Sequence, residues 1–118
     1  MRLEVAALAL LLSMFLFGRS VHGACPAGAH LNITDGDKKI ADQAYKDCTM
    51  LESVSIPDSV ESIGDYAFRG CTSLKNVTFK SSSSLRSIGT EAFLGCASLS
   101  TLSIPEAVTN ISQRAFEG

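Results

Sequence analysis

Histidine is nearly absent from this chain of 118 residues, which holds two. His22 falls in an apolar N-terminal stretch, so His30 is the only imidazole in the rest of the sequence. A serine or cysteine nucleophile would have this one base to work with. His30 stands beside a short apolar alternation, the setting of a solvated or capping histidine rather than a catalytic one. Clustered positive charge is lacking as well. The 10 Lys and Arg are outnumbered by 12 Asp and Glu, for a net charge of -2, and no basic run forms the surface that phosphate binding requires. Nucleic acid is therefore excluded as a partner. Charged residues make up only 19% of the chain against 46% apolar residues, which excludes long-lived disorder. The length allows one domain at most.

No apolar run is long enough to span a bilayer. Val5–Phe17 is 13 residues interrupted only by Ser13, short of the roughly 20 a membrane helix needs. With Arg2 before it and small residues after it, the stretch reads as a secretory signal peptide over residues 1–24. Val21 and Gly23 suit cleavage before Ala24, and Ala24 suits cleavage before Cys25. A membrane anchor is disfavoured by length. Lipoprotein processing at Cys25 is disfavoured by His22, where such sites carry an aliphatic residue.

What the sequence does contain is a repeat. Ile40, Ile63, Ile88 and Ile111 are separated by 23, 25 and 23 residues, and Ala44, Ala67, Ala92 and Ala115 keep the same steps. Tyr45, Phe68, Phe93 and Phe116 keep them too, as do Leu51, Leu74 and Leu99 over the first two. Cys48, Cys71 and Cys96 share one register, and Cys25 lies one period upstream, with Leu31 and Ile33 where Val54 and Ile56 recur. The expected domain is thus a solenoid over residues 25–118 of about four coils, the first degenerate and the last truncated at Gly118.

Each unit has two halves. Leu74, Val77 and Phe79 follow L-x-x-L-x-L, whose last apolar residues alternate with polar ones as in a strand buried on one face. Ile63, Ala67, Phe68 and Cys71 recur at three- and four-residue steps, which predicts a short helical turn with its apolar side inward. One coil cannot bury both sets, so stability must come from stacking identical positions into ladders. Pro57 and Pro105 follow the strands, where the chain turns and no ladder N–H is needed. Ser81–Ser84 sit in a connection two residues longer than its counterparts, read as a flexible polar insertion.

The run from Ser55 to Leu74, containing Ile56-Pro57-Asp58-Ser59-Val60, Ile63-Gly64-Asp65-Tyr66-Ala67-Phe68 and Gly70-Cys71-Thr72-Ser73-Leu74, closely resembles the BspA-like, or Treponema pallidum-type, leucine-rich repeat. The likeness is good over Ile40–Gly118 and weaker over Cys25–Lys39. It implies an α/β solenoid, right-handed, with a concave parallel sheet and short helical turns. It also implies a secreted or cell-surface adhesin or interaction module, without enzymatic activity and without a cofactor. The family has no fixed binding residues to carry over.

Candidate sites follow from this frame. Ser53 and Ser55, Asn76 and Thr78, and Thr101 and Ser103 alternate with the buried strand residues and so point outward in two columns of small polar groups. Aromatic and arginine anchors, which dominate interface hot spots, are missing among them. The columns therefore suit either a weak, multivalent contact with an extracellular protein or glycan, or simply a soluble face. Asn32, Asn76 and Asn110 head N-x-S/T sequons, which carry glycans only in a eukaryotic source. Asp35-Gly36-Asp37 has too few oxygen ligands for calcium and reads as a turn. No metal or other cofactor site is expected.

The four cysteines allow two readings. Matched residues of adjacent coils lie about 4.8 Å apart, within reach of a bridge, but their side chains point the same way into the core. A ladder of free buried thiols is therefore favoured over disulfides. Cys25, at the end of the stack, is the likeliest exception and could pair with Cys48 or with another chain. The apolar edges of Ile104, Val108, Ile111 and Phe116 lead to an expected fragment of a longer repeat protein, serving as a spacer, or to end-to-end self-association. A membrane would be reached only through a part beyond Gly118.

Overall fold

The protein is described by a computed structural model over residues 25–118. The expected signal peptide lies outside the described residues. Among the described residues the chain winds into a β-solenoid of about four turns, built from seven short strands: β1 His30–Asn32, β2 Lys39–Ile40, β3 Ser53–Ile56, β4 Ser62–Ile63, β5 Asn76–Phe79, β6 Ser87–Ile88 and β7 Asn110–Ile111. They form two parallel sheets. Sheet A has the order β1-β3-β5, and sheet B the order β2-β4-β6-β7. The pairing repeats the sequence period residue by residue: Val54 lies opposite Val77, and Ile63 opposite both Ile40 and Ile88.

The expected helical turns are not there. Among the described residues no helix forms, and the segments rich in alanine and aromatic residues are rows of consecutive turns. The backbone hydrogen bonds give the reason. Ala44, Lys46 and Cys48 N–H groups bond locally, to carbonyls three residues back, while Gln43, Tyr45 and Asp47 donate to Asp65, Ala67 and Arg69 of the next coil at 2.7–2.8 Å. An α-helix requires every interior N–H for itself. Here alternate ones are given to a neighbour, and the left-handed residues Gln43, Tyr66, Glu91 and Arg114, with φ of 52–60°, make that alternation possible. The apolar spacing that suggested a helix is produced instead by which turn residues face inward.

The core is a set of ladders running along the solenoid. Tyr45, Phe68, Phe93 and Phe116 stack with ring centroids 5.2–5.5 Å apart and planes within 16° of parallel. Ile40, Ile63 and Ile88 form a second column, Ala44, Ala67, Ala92 and Ala115 a third, and Leu51 and Leu74 a fourth. Phe68 is fully buried, while Phe116, whose ring has a neighbour on one side, is 39% exposed. Full burial of such a side chain stabilises by about 1.5–3 kcal/mol. The ladders are therefore strongest in the two middle coils.

Cysteine chemistry divides along the stack, with the expected free thiols at two positions and Cys25 as the exception, paired with Cys48. Cys25 and Cys48 form a disulfide with Cα atoms 5.3 Å apart, whereas Cys71 and Cys96 are free and buried. Cys25 is exposed and belongs to no strand, so its side chain can turn toward Cys48. Cys71 and Cys96 are held in register by the bonds on either side. Each thiol donates to the carbonyl of an aromatic residue in the preceding coil, Tyr45 at 3.1 Å and Phe68 at 3.2 Å.

Candidate functional site

The outward face of sheet A carries the polar columns. Inward-facing Val54, Ile56 and Val77 are buried, which forces Ser53, Ser55, Asn76 and Thr78 to the opposite side. The two serines are half-buried, and Asn76 and Thr78 are exposed. Pairing brings Ser53 beside Asn76 and Ser55 beside Thr78, so four of the six expected residues meet on one surface.

Sheet A begins one strand earlier than the expected face. β1 adds His30 opposite Ser53 and Asn32 opposite Ser55, completing the rows His30–Ser53–Asn76 and Asn32–Ser55–Thr78. His30 Nδ1 and Ser53 Oγ lie 2.5 Å apart. The degenerate first repeat hides the place of these two positions on the face, and the match of Leu31 to Val54 is the one signal of it. Glu52 and Lys75 form an ion pair of 3.3 Å along the margin. The face thus offers hydroxyl, amide and imidazole groups in register at strand spacing, about 4.8 Å.

Thr101 and Ser103 are not part of it. Both are exposed, but no strand forms over 99–104, and the expected third pair of the columns is not in the sheet. After Leu99 N–H, which bonds to Cys96 O, the next backbone donor is Val108, so nothing ties the intervening backbone to β5. Leu102 is partly buried against the core, and Ile104 is 39% exposed.

The sequons are all at the surface. Asn32 and Asn76 lie on sheet A, and Asn110 is paired with Ser87 on sheet B. Asp35 and Gly36 form the expected turn, with Gly36 N–H donating to Ser59 Oγ at 3.0 Å.

Ionisable groups gather elsewhere in pairs that brace neighbouring coils. Glu91, with a side chain 12% exposed, lies between Arg69 at 3.1 Å and Arg114 at 3.0 Å. Arg114 also bonds Glu117, and these acids raise its pKa. Such a network ties three coils together on the turn side of the solenoid. Burial pushes the Cys71 thiol up to about 11 and the Cys96 thiol up to about 12, which keeps both protonated and unreactive at neutral pH. Among the described residues no polar or charged residue is buried.

Comparison with known proteins fits this architecture. A family model described as the BspA type leucine rich repeat region (6 copies) matches residues 27–118. A leucine rich cell surface protein from Faecalibacterium prausnitzii superposes with a TM-score of 0.68 at 36% identity, covering 77% of this chain and 27% of that one. The T. pallidum leucine rich repeat protein gives 0.62 at 28% identity, covering 76% of this chain and 54% of that one. A leucine-rich repeat protein from Bacteroides capillosus gives 0.66 at 27% identity, covering 74% and 68%. No curated protein matches the chain. Repeat period, strand register and family match agree, and the chain belongs to the BspA-type leucine-rich repeat family.

Proposed function

We propose that this chain is a non-enzymatic interaction module of a secreted or cell-surface protein, and that sheet A meets an extracellular protein or glycan. The observation that carries this reading is the alignment of His30, Ser53 and Asn76 beside Asn32, Ser55 and Thr78 on one strand-spaced surface. Small polar side chains at fixed spacing can exchange hydrogen bonds with a repetitive ligand while adding little contact area. Each contact is weak, and strength comes from repetition along the face. Surface location is supported by the likeness to the F. prausnitzii cell surface protein. The non-enzymatic reading is supported by membership of a repeat family and by likeness to repeat proteins of the cell surface.

A glycan and matrix-protein array, probed with the purified chain, tests the proposal. Hits that disappear in a Ser55→Glu/Thr78→Glu variant with an unchanged unfolding temperature place the ligand on sheet A. Hits that persist move it elsewhere on the solenoid. The same array tests a spacer role, suggested by coverage of only 27% of the F. prausnitzii chain: a spacer gives no reproducible hit at all.

A further inference from the structure

The fourth coil is docked on two sides and open on the third. On the turn side, Phe93 and Gly95 N–H donate to Ala115 and Glu117 carbonyls at 2.8 and 2.9 Å. On sheet B, Thr109 and Asn110 donate to Arg86 O, and Ser112 to Ile88 O. On sheet A no strand among the described residues pairs with the outer edge of β5. Yet Leu99-Ser100-Thr101-Leu102-Ser103-Ile104 repeats the strand pattern of Leu51–Ile56 and Leu74–Phe79 position by position. It runs beside a hollow of about 260 Å3 lined by Phe93, Cys96, Leu102, Ile104 and Phe116.

We propose that Leu99–Ile104 is a strap that exchanges between this unpaired arrangement and a fourth strand of sheet A laid along β5. Its two ends are fixed, by the Cys96 carbonyl on one side and the Pro105 turn on the other, so closing needs only local rotation of the intervening residues. The donors are specified by the coils already formed. Ser53 N–H donates to Ala29 O and Asn76 N–H to Glu52 O, so the same step puts Thr101 N–H on Lys75 O. Strand alternation then puts Ser103 N–H on Val77 O. Closing would move Leu102 beside Val77 and Ile104 beside Phe79 and pair the outer edge of β5, with the strap itself becoming the edge strand of the sheet. It would also bring Thr101 and Ser103 into the two polar columns. Resting on the interaction role proposed above, this makes the third pair of that face conditional: a ligand that contacts it favours the closed strap, because binding shifts an existing equilibrium toward the state with more contacts.

Amide hydrogen exchange on the ligand-free chain, read residue by residue, tests the strap. Thr101 and Ser103 are expected to exchange at least about 5-fold slower than in an unstructured peptide, and at least about 10-fold faster than Phe93 and Gly95. Ser103→Pro removes one donor from an outward position and is expected to return Thr101 to the peptide rate while Phe93 and Gly95 stay protected. Should it strip those two amides as well, the milder Leu102→Ala decides, with an expected several-fold loss of protection confined to residues 100–104. Four results overturn the proposal: peptide-like rates in the wild type, core-like rates in the wild type, protection that neither substitution changes, or protection that appears only as the chain dimerises. No ligand enters the measurement. Its failure leaves the two-column face intact, and failure of the Ser55/Thr78 variant leaves the strap intact.

Discussion

Gly70 and Gly95 hold the same place in adjacent coils and share a φ of +74°, but they face different neighbours. A Cβ at Gly70 would overlap Asp47 Oδ1, whereas a Cβ at Gly95 would find its nearest atoms, the Gly70 backbone, at 3.8 Å. Alanine at either site meets the left-handed penalty of roughly 1–2 kcal/mol, partly offset by about 0.4–1 kcal/mol from a less flexible unfolded chain. Gly95→Ala should therefore cost about 1 kcal/mol. Gly70→Ala must in addition rotate the Asp47 carboxylate out of its well, which costs about 0.5–1.5 kcal/mol more. Removing that carboxylate by Asp47→Gly should erase the excess. In urea unfolding the Asp47→Gly/Gly70→Ala cycle should then show a coupling of about 1 kcal/mol, and the Gly70→Ala cost in the Asp47→Gly background should match that of Gly95→Ala. Coupling below the additivity error of about 0.3–0.5 kcal/mol would refute the steric account.

The aromatic ladder should weaken unevenly: Phe68→Ala, at a fully buried ring stacked on both sides, is expected to cost about 3–5 kcal/mol in the same assay, and Phe116→Ala less than half of that. Equal losses would mean the ladder does not set the stability. Reducing the Cys25–Cys48 bridge, which closes a separation of 23 residues, should cost about 3 kcal/mol by loop entropy and speed hydrogen exchange at Glu52 and Ser53, whose N–H groups both donate to Ala29 O. Unchanged exchange there would show that β1 holds the first coil without the disulfide. Alkaline pH should destabilise the fold. Cys71 and Cys96 keep their protons in the folded state up to about 11 and about 12, while the unfolded chain releases them near the ordinary thiol value of 9.0, so unfolding gains free energy as pH rises through that window. A Cys71→Ala/Cys96→Ala variant should have a flatter unfolding temperature between pH 9 and 11 than the wild type, and parallel curves would assign the effect to other groups.

The period, the number of coils and the isoleucine, alanine, aromatic and leucine ladders are legible in the repeat pattern, whereas the buried column of Val60 and Leu85 is not among the ladders read from it. A repeat with aligned apolar positions can bury them only by stacking one copy on the next. The sequence also determined the outward serine, asparagine and threonine positions of β3 and β5, since strand alternation leaves no choice of face. Tertiary structure decided what depends on neighbouring coils. Whether Tyr45 N–H bonds within its own turn or to Ala67 is not encoded in local spacing, so a three- and four-residue pattern read as helix became a row of turns. Whether two cysteines in one register join depends on which of them is free to rotate, and that is Cys25 at the end of the stack. Thr101 and Ser103 carry the same pattern as Asn76 and Thr78, yet they stay outside the sheet. The backbone between Leu99 and Val108 makes no bond to β5 and Ile104 stays 39% exposed, and neither fact can be read from a pattern that is the same in all three coils.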